Sequence, residues 1–126
     1  MALTTAGRNA IAQAIIDDSF TPFDNTNAYL GVGDSTTAFN ASQTDLVAGS
    51  NKLRKAMEAT YPQRSTNVLT FRSSFGPSDA NYAWEEIGVF NASSSGTMLC
   101  RVVQNHGTKA NTDTWVLTHV VTLAAA

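Results

Sequence analysis

Ala83-Trp84-Glu85-Glu86-Ile87-Gly88-Val89-Phe90, then Asn91-Ala92-Ser93-Ser94-Ser95-Gly96, then Thr97-Met98-Leu99-Cys100-Arg101-Val102-Val103 reads as strand, loop, strand. Each flank is rich in β-branched, aromatic or other apolar residues, and the Ser/Gly run between them is turn material. Working outward, the same punctuation sets off strands over residues 67–75, 82–90, 97–104 and 114–124. Their separators are Gly76-Pro77-Ser78-Asp79, the Asn91 to Gly96 run and a Gly107 to Asp113 turn region.

Alternation assigns the inward faces. Leu69, Phe71 and Phe75 form one set, and Trp115, Leu117, Val121 and Leu123 form another, with His119 on the same side. Toward the amino terminus, residues 28–33 alternate Ala28, Leu30 and Val32 with Tyr29, Gly31 and Gly33, a strand packed closely against a neighbour. Residues 52–61 fit both a helical and a strand face. Thr4 or Thr5 can cap a helix over about 5–17 whose face would be Arg8, Ile11, Ala12, Ile15 and Ile16, ended by Asp17-Asp18-Ser19 and Pro22. The fold expected is mainly β: a single-domain antiparallel β-sandwich or barrel-like sheet over residues 1–126, with one short amino-terminal α-helix covering an edge or end.

Composition narrows the function. Charged residues are 14% and hydrophobic ones 43%, with a net charge of −2, so there is no basic field for nucleic acid. No segment approaches the roughly 20 apolar residues of a membrane span, and the first residues make a poor secretory signal. Cys100 has no partner for an internal disulfide and lies in an apolar run, so it is expected to be buried, consistent with synthesis in a reducing cytoplasm. Asn40-Ala41-Ser42 and Asn91-Ala92-Ser93 then count as turn tripeptides rather than glycosylation sites.

The sequence carries no catalytic, metal or cofactor motif. Glu85 and Glu86 are adjacent and point to opposite faces of a strand, so one is expected in solvent and the other paired with an arginine such as Arg72 or Arg101. His106 and His119 have no companions at metal-ligand spacing. Gly31-Val32-Gly33-Asp34-Ser35-Thr36 lacks the third glycine of a dinucleotide fingerprint. Lys52, Arg54, Lys55, Arg64, Arg72 and Arg101 lie later than Asp17, Asp18, Asp24, Asp34 and Asp45, a layout of ordinary solvated strand faces or, as the lesser alternative, of opposite charges that meet across an interface. The candidate partner contacts are the long loop from Asp34 to Asn51 and three aromatics in polar loops, Phe20, Phe23 and Phe39.

Four stretches carry a resemblance: Leu3-Thr4-Thr5-Ala6-Gly7-Arg8-Asn9-Ala10, Ala28-Tyr29-Leu30-Gly31-Val32-Gly33-Asp34, Lys52-Leu53-Arg54-Lys55-Ala56-Met57 and Trp84-Glu85-Glu86-Ile87-Gly88-Val89-Phe90. The chain resembles small tailed-bacteriophage virion proteins. More distantly, it is similar to the amino-terminal domain of phage tail-collar fibre proteins, with their "LT-x-AG" helix, "vGdg" strand and "E-I-G-(L/V)-F" strand. The resemblance favours a strand in residues 52–61. It implies a non-enzymatic virion component without cofactors, made in the host cytoplasm, contacting other phage virion proteins and forming a homo-oligomer, with a trimer favoured. No repetitive shaft follows the last strand in these 126 residues. The expectation is therefore a tail-tip, adaptor or short fibre subunit, with a capsid decoration protein as the alternative. A host receptor or surface-glycan module, using the loop aromatics, is the second alternative.

Overall fold

A computed structural model describes residues 3–124. Its elements run α1 (Thr5–Ile15), β1 (Tyr29–Gly33), β2 (Lys52–Ala56), β3 (Gln63–Ser65), β4 (Val68–Phe75), β5 (Glu86–Phe90), β6 (Met98–Val103) and β7 (Trp115–Thr122). One sheet has the order β2-β1-β5-β6 and the other β3-β4-β7, with every pairing antiparallel. The two sheets share one core, in which Leu30, Val32, Ile87 and Val89 of the first meet Phe71, Phe75, Leu117 and Val121 of the second. Trp84 closes one end of it, edge-on to Phe75 at 4.8 Å and to Trp115 at 4.9 Å between ring centroids, with its indole N–H donated to the Ala80 carbonyl. The expected sandwich with one short amino-terminal helix is the fold observed.

Several boundaries move. The strand expected from residue 82 begins at Glu86, because Ala83 bridges to Thr108 and Trp84 donates its N–H to Gly107 instead of joining the ladder. Residues 52–61 hold a strand over Lys52–Ala56 and no helix, and the three-residue β3 lies in a stretch too polar to announce itself. Leu123 falls just past β7 and is exposed, so it leaves the inward row that Trp115, Leu117, His119 and Val121 keep.

The helix is turned relative to its sequence pattern. Thr4 caps it by accepting from the Gly7 N–H while its hydroxyl donates to the Met98 carbonyl, and the Thr4 N–H donates to Leu99. This tether brings the backbone of α1 against β6, so the buried face is the small one, Gly7 and Ala10. A Cβ on Gly7 would collide with the Leu99 carbonyl, and no larger side chain fits that contact. Ile11 remains half-buried, whereas Ile15 and Ile16 are 78% and 74% exposed. The expected apolar face therefore points largely to water, and the helix ends at Ile15, two residues early, where Asp17 adopts a positive φ of 52°.

Candidate functional site

The long loop over residues 34–51 is no free excursion: it lies over the outer face of the first sheet. β5 alternates Ile87 and Val89 toward the sandwich core with Glu86, Gly88 and Phe90 toward the loop, where Leu46 packs on Phe90 and Met98. Five consecutive residues of β5 are buried as a result. Beneath the loop Glu86 and Arg101 form an ion pair at 2.8 Å, both side chains fully buried.

Its remaining valences hold the loop. The Glu86 carboxylate accepts the N–H groups of Val47 at 2.8 Å and Ala48 at 2.9 Å, while Arg101 donates to the Thr37 carbonyl and to Gln43. Gly33 makes room for this carboxylate, since a Cβ there would run into it. Glu86 is thus the glutamate that pairs with an arginine, and of the two candidates the partner is Arg101. Arg72 instead pairs with Glu58 at 2.6 Å. Glu85 is half-buried rather than fully solvated and accepts from Asn105 at 2.7 Å.

The charge layout also resolves largely within the chain. Asp45 takes both Lys52 at 3.0 Å and Arg54 at 3.2 Å. Partial burial pushes the Asp45 carboxyl up, and Lys52, the Leu46 N–H and Arg54 together outweigh that and hold it below the usual value. The Arg54 guanidinium also sits 3.6 Å above the Phe90 ring and donates to the Ala92 and Ser95 carbonyls, tying β2 to the β5–β6 turn. Lys55 pairs with Asp79 at 2.8 Å. Among the described residues, Asp45 alone of the five early aspartates forms ion pairs with these basic residues; Lys55, Arg72 and Arg101 pair with Asp79, Glu58 and Glu86.

The three loop aromatics do not converge. Phe20 lines a polar cleft of about 540 Å³ together with Gln13, Thr26, Asn27, Tyr29 and Ser93. Phe23 packs on the main core and borders a separate apolar hollow of about 260 Å³ with Ile11, Leu69, Phe71, Leu99 and Leu123. Phe39, 37% exposed, stands on the pinned loop. The aliphatics Ile15, Ile16, Val116 and Val120 are exposed as well. An uncharged Val/Thr alternation in β7 was the available sign for the last two.

Two further titratable side chains, Cys100 and His119, lie together in the sandwich. Cys100 is buried and its thiol is pushed up to about 12 by desolvation, so it is a core residue and a poor nucleophile. Its sulfur lies 3.8 Å from His119 Nε2, and burial, with His106 nearby, lowers the His119 pKa. Among the described residues no three His, Cys, Asp or Glu side chains gather at metal-binding range, and no helix is long and apolar enough to cross a membrane. No protein-family model matches the chain, and no curated protein matches it.

Proposed function

We propose that this chain is a non-enzymatic structural subunit of a tailed-bacteriophage virion, acting through contacts with other virion proteins and with copies of itself. The resemblance supports tail association, as a tail-tip, adaptor or short fibre subunit, ahead of decoration of the head surface; it also favours a trimer. The residues that carry the resemblance have packing roles: Thr4 and Gly7 seat the helix, Gly33 admits Glu86, and Glu86 to Phe90 form a strand buried on both faces.

One observation carries the assembly reading: a firmly tied sandwich leaves Ile15 and Ile16 almost fully exposed at one helix end. Two adjacent aliphatic side chains held in water gain free energy when a neighbour covers them, at about 25 cal/mol per Å² of apolar surface. A reconstruction of the intact particle tests the reading. Density for this sandwich on the tail is the expected result; density at capsid threefold positions would move the assignment to decoration, and absence from the particle would overturn it.

The polar cleft beside Phe20 favours a second reading, a surface-glycan site. Amide and hydroxyl side chains around an aromatic ring and Tyr29 suit a neutral polyhydroxylated ligand. Phe20→Ala should then abolish binding to host cell-wall glycan without unfolding the protein, and retained binding would reject it.

A further inference from the structure

We propose that two copies of this chain pair antiparallel through β7, about a two-fold axis near His119, so that two three-stranded sheets become one continuous six-stranded sheet. The proposal goes beyond the virion reading and does not depend on it.

The hydrogen-bond parity of β7 is fixed by its pairing with β4. Leu123 donates its N–H to the Asn67 carbonyl, and β7 pairs with β4 in the register Val68 to Thr122 through Phe75 to Trp115. In an antiparallel ladder the bonding direction alternates, so the odd residues 115 to 123 bond toward β4. The N–H and C=O groups of Val116, Thr118, Val120 and Thr122 therefore point away from the sheet. β7 is its last strand, and among the described residues no backbone or side-chain hydrogen bond reaches those four. Their side chains also form the outer face, with Val116 49% and Val120 54% exposed.

Such an edge is usually blunted by charge, proline, brevity or a covering segment. The other edges show these devices. β2 carries Lys52, Arg54 and Lys55; β3 has three residues; and β6 is covered by the Leu3 bridge to Cys100 and the Thr4 N–H bond to Leu99. Among the described residues β7 has none of them. It is eight residues long, and from Thr114 to Ala124 there is no Asp, Glu, Lys or Arg.

Those facts select the occupant. The bare groups call for an extended strand, and the lack of charge calls for one that is also uncharged, which excludes β2 of a neighbouring copy. β3 is too short and β6 is occupied, so among the described strands β7 of a second copy is the match. With Val116 opposite the second copy's Thr122 and Thr118 opposite its Val120, even residues bond only to even residues, giving up to about eight backbone hydrogen bonds. Valines and threonines then alternate across the outer face, and no charge meets a like charge. The inner rows continue in step, Leu117 facing Val121 and His119 facing itself. Because this contact uses a sheet edge, it leaves the Ile15 and Ile16 end free for a different, threefold contact.

Sedimentation of the intact protein over a concentration series, together with residue-resolved amide exchange, tests the pairing. A species of twice the chain mass is expected, in which the amides of Val116, Thr118, Val120 and Thr122 become slow as the dimer forms while the odd residues are slow throughout. Thr118→Pro removes one outward N–H and leaves the β4 ladder intact, a position where an edge strand tolerates proline; Val120→Lys supplies the edge charge that β7 lacks. Each variant should sediment as a monomer with unchanged tryptophan fluorescence. The proposal is overturned by a wild-type chain that stays monomeric throughout, by an oligomer whose even-numbered amides exchange fast, by a dimer that survives both substitutions, or by even-residue protection that requires a different virion protein. If Thr118→Pro fails to fold, Val120→Lys and the wild-type exchange pattern still decide.

Discussion

Replacing Glu86 by Gln should destabilise the protein and release the loop over residues 34–51. The substitution is nearly isosteric, so packing under the loop is preserved and the main change is electrostatic. Arg101 then keeps a full charge in a site with no exposure and with its 2.8 Å ion-pair partner gone. Removing one member of a buried pair typically costs about 3–5 kcal/mol, because the orphaned charge has neither water nor a counter-ion. A Gln amide also has one oxygen where the carboxylate has two, so one of the Val47 and Ala48 N–H groups loses its acceptor. For a chain of this length each kcal/mol lowers Tm by about 4 °C, which predicts a fall of about 10–20 °C. Urea unfolding followed by the fluorescence of Trp84 and Trp115 measures the loss, and amide exchange at Val47 and Ala48 reports the loop separately. A double variant that adds Arg101→Met should lose less than the sum of the single losses by about 2 kcal/mol, since the orphan charge leaves with it. A loss below about 1 kcal/mol in Glu86→Gln, or unchanged protection at Val47 and Ala48, would refute the claim that this pair holds the loop.

Other expectations follow from the same packing. Phe71, 1% exposed at the centre of the sandwich, should cost about 3–5 kcal/mol when replaced by Ala, measured by urea unfolding. Gly7→Ala reverses the usual helix rule: Ala normally gains about 1 kcal/mol over Gly, but here its Cβ meets the Leu99 backbone, so Tm should fall rather than rise. Cys100 should resist thiol reagents in the native protein and react only on unfolding, because its thiol is pushed up to about 12; fast native labelling would contradict its burial. Burial depresses the folded-state pKa of His119, so the unfolded chain takes up a proton first as pH falls. Stability should therefore drop below about pH 6.5, the unfolded value, and level off once pH passes the folded one; His119→Gln should flatten that slope in thermal melts at a series of pH values.

The β core was legible because alternation is a local signal. Phe71, Phe75, Leu117 and Val121 face inward as their spacing required, and the Glu85-Glu86 step placed the two carboxylates on opposite faces with Arg101 among the possible partners. What spacing could not convey was the second layer over β5. Leu46 to Ala48 lie about forty residues upstream in a stretch that reads as loop, and their value as a cover depends on a carboxylate brought to them by the fold. Glu86 looked like a surface charge or half of a salt bridge because its further partners are backbone N–H groups, which every residue but proline carries.

The helix and its Thr4 cap were legible, but its buried face was not, for a related reason that bears on the proposed function. Periodicity assigns the buried face to the largest aliphatics, on the premise that burial maximises apolar area. In α1 the Thr4 contacts to Met98 and Leu99 fix the approach instead, and only Gly7 and Ala10 are small enough for the seam. Ile15 and Ile16 are consequently displaced to the surface, while Leu123 leaves the inward row simply because β7 ends at Thr122. For an isolated monomer these exposures bring no stability, yet the tether that enforces one of them is fully buried and tightly hydrogen-bonded. On the proposed reading, Ile15 and Ile16, which pattern places in a core and packing places in solvent, are what the subunit offers to its neighbour. On the proposed assembly reading the β7 edge makes the same offer in backbone hydrogen bonds, so the helix end and the second sheet join the loop aromatics Phe20, Phe23 and Phe39 as surfaces to test by substitution.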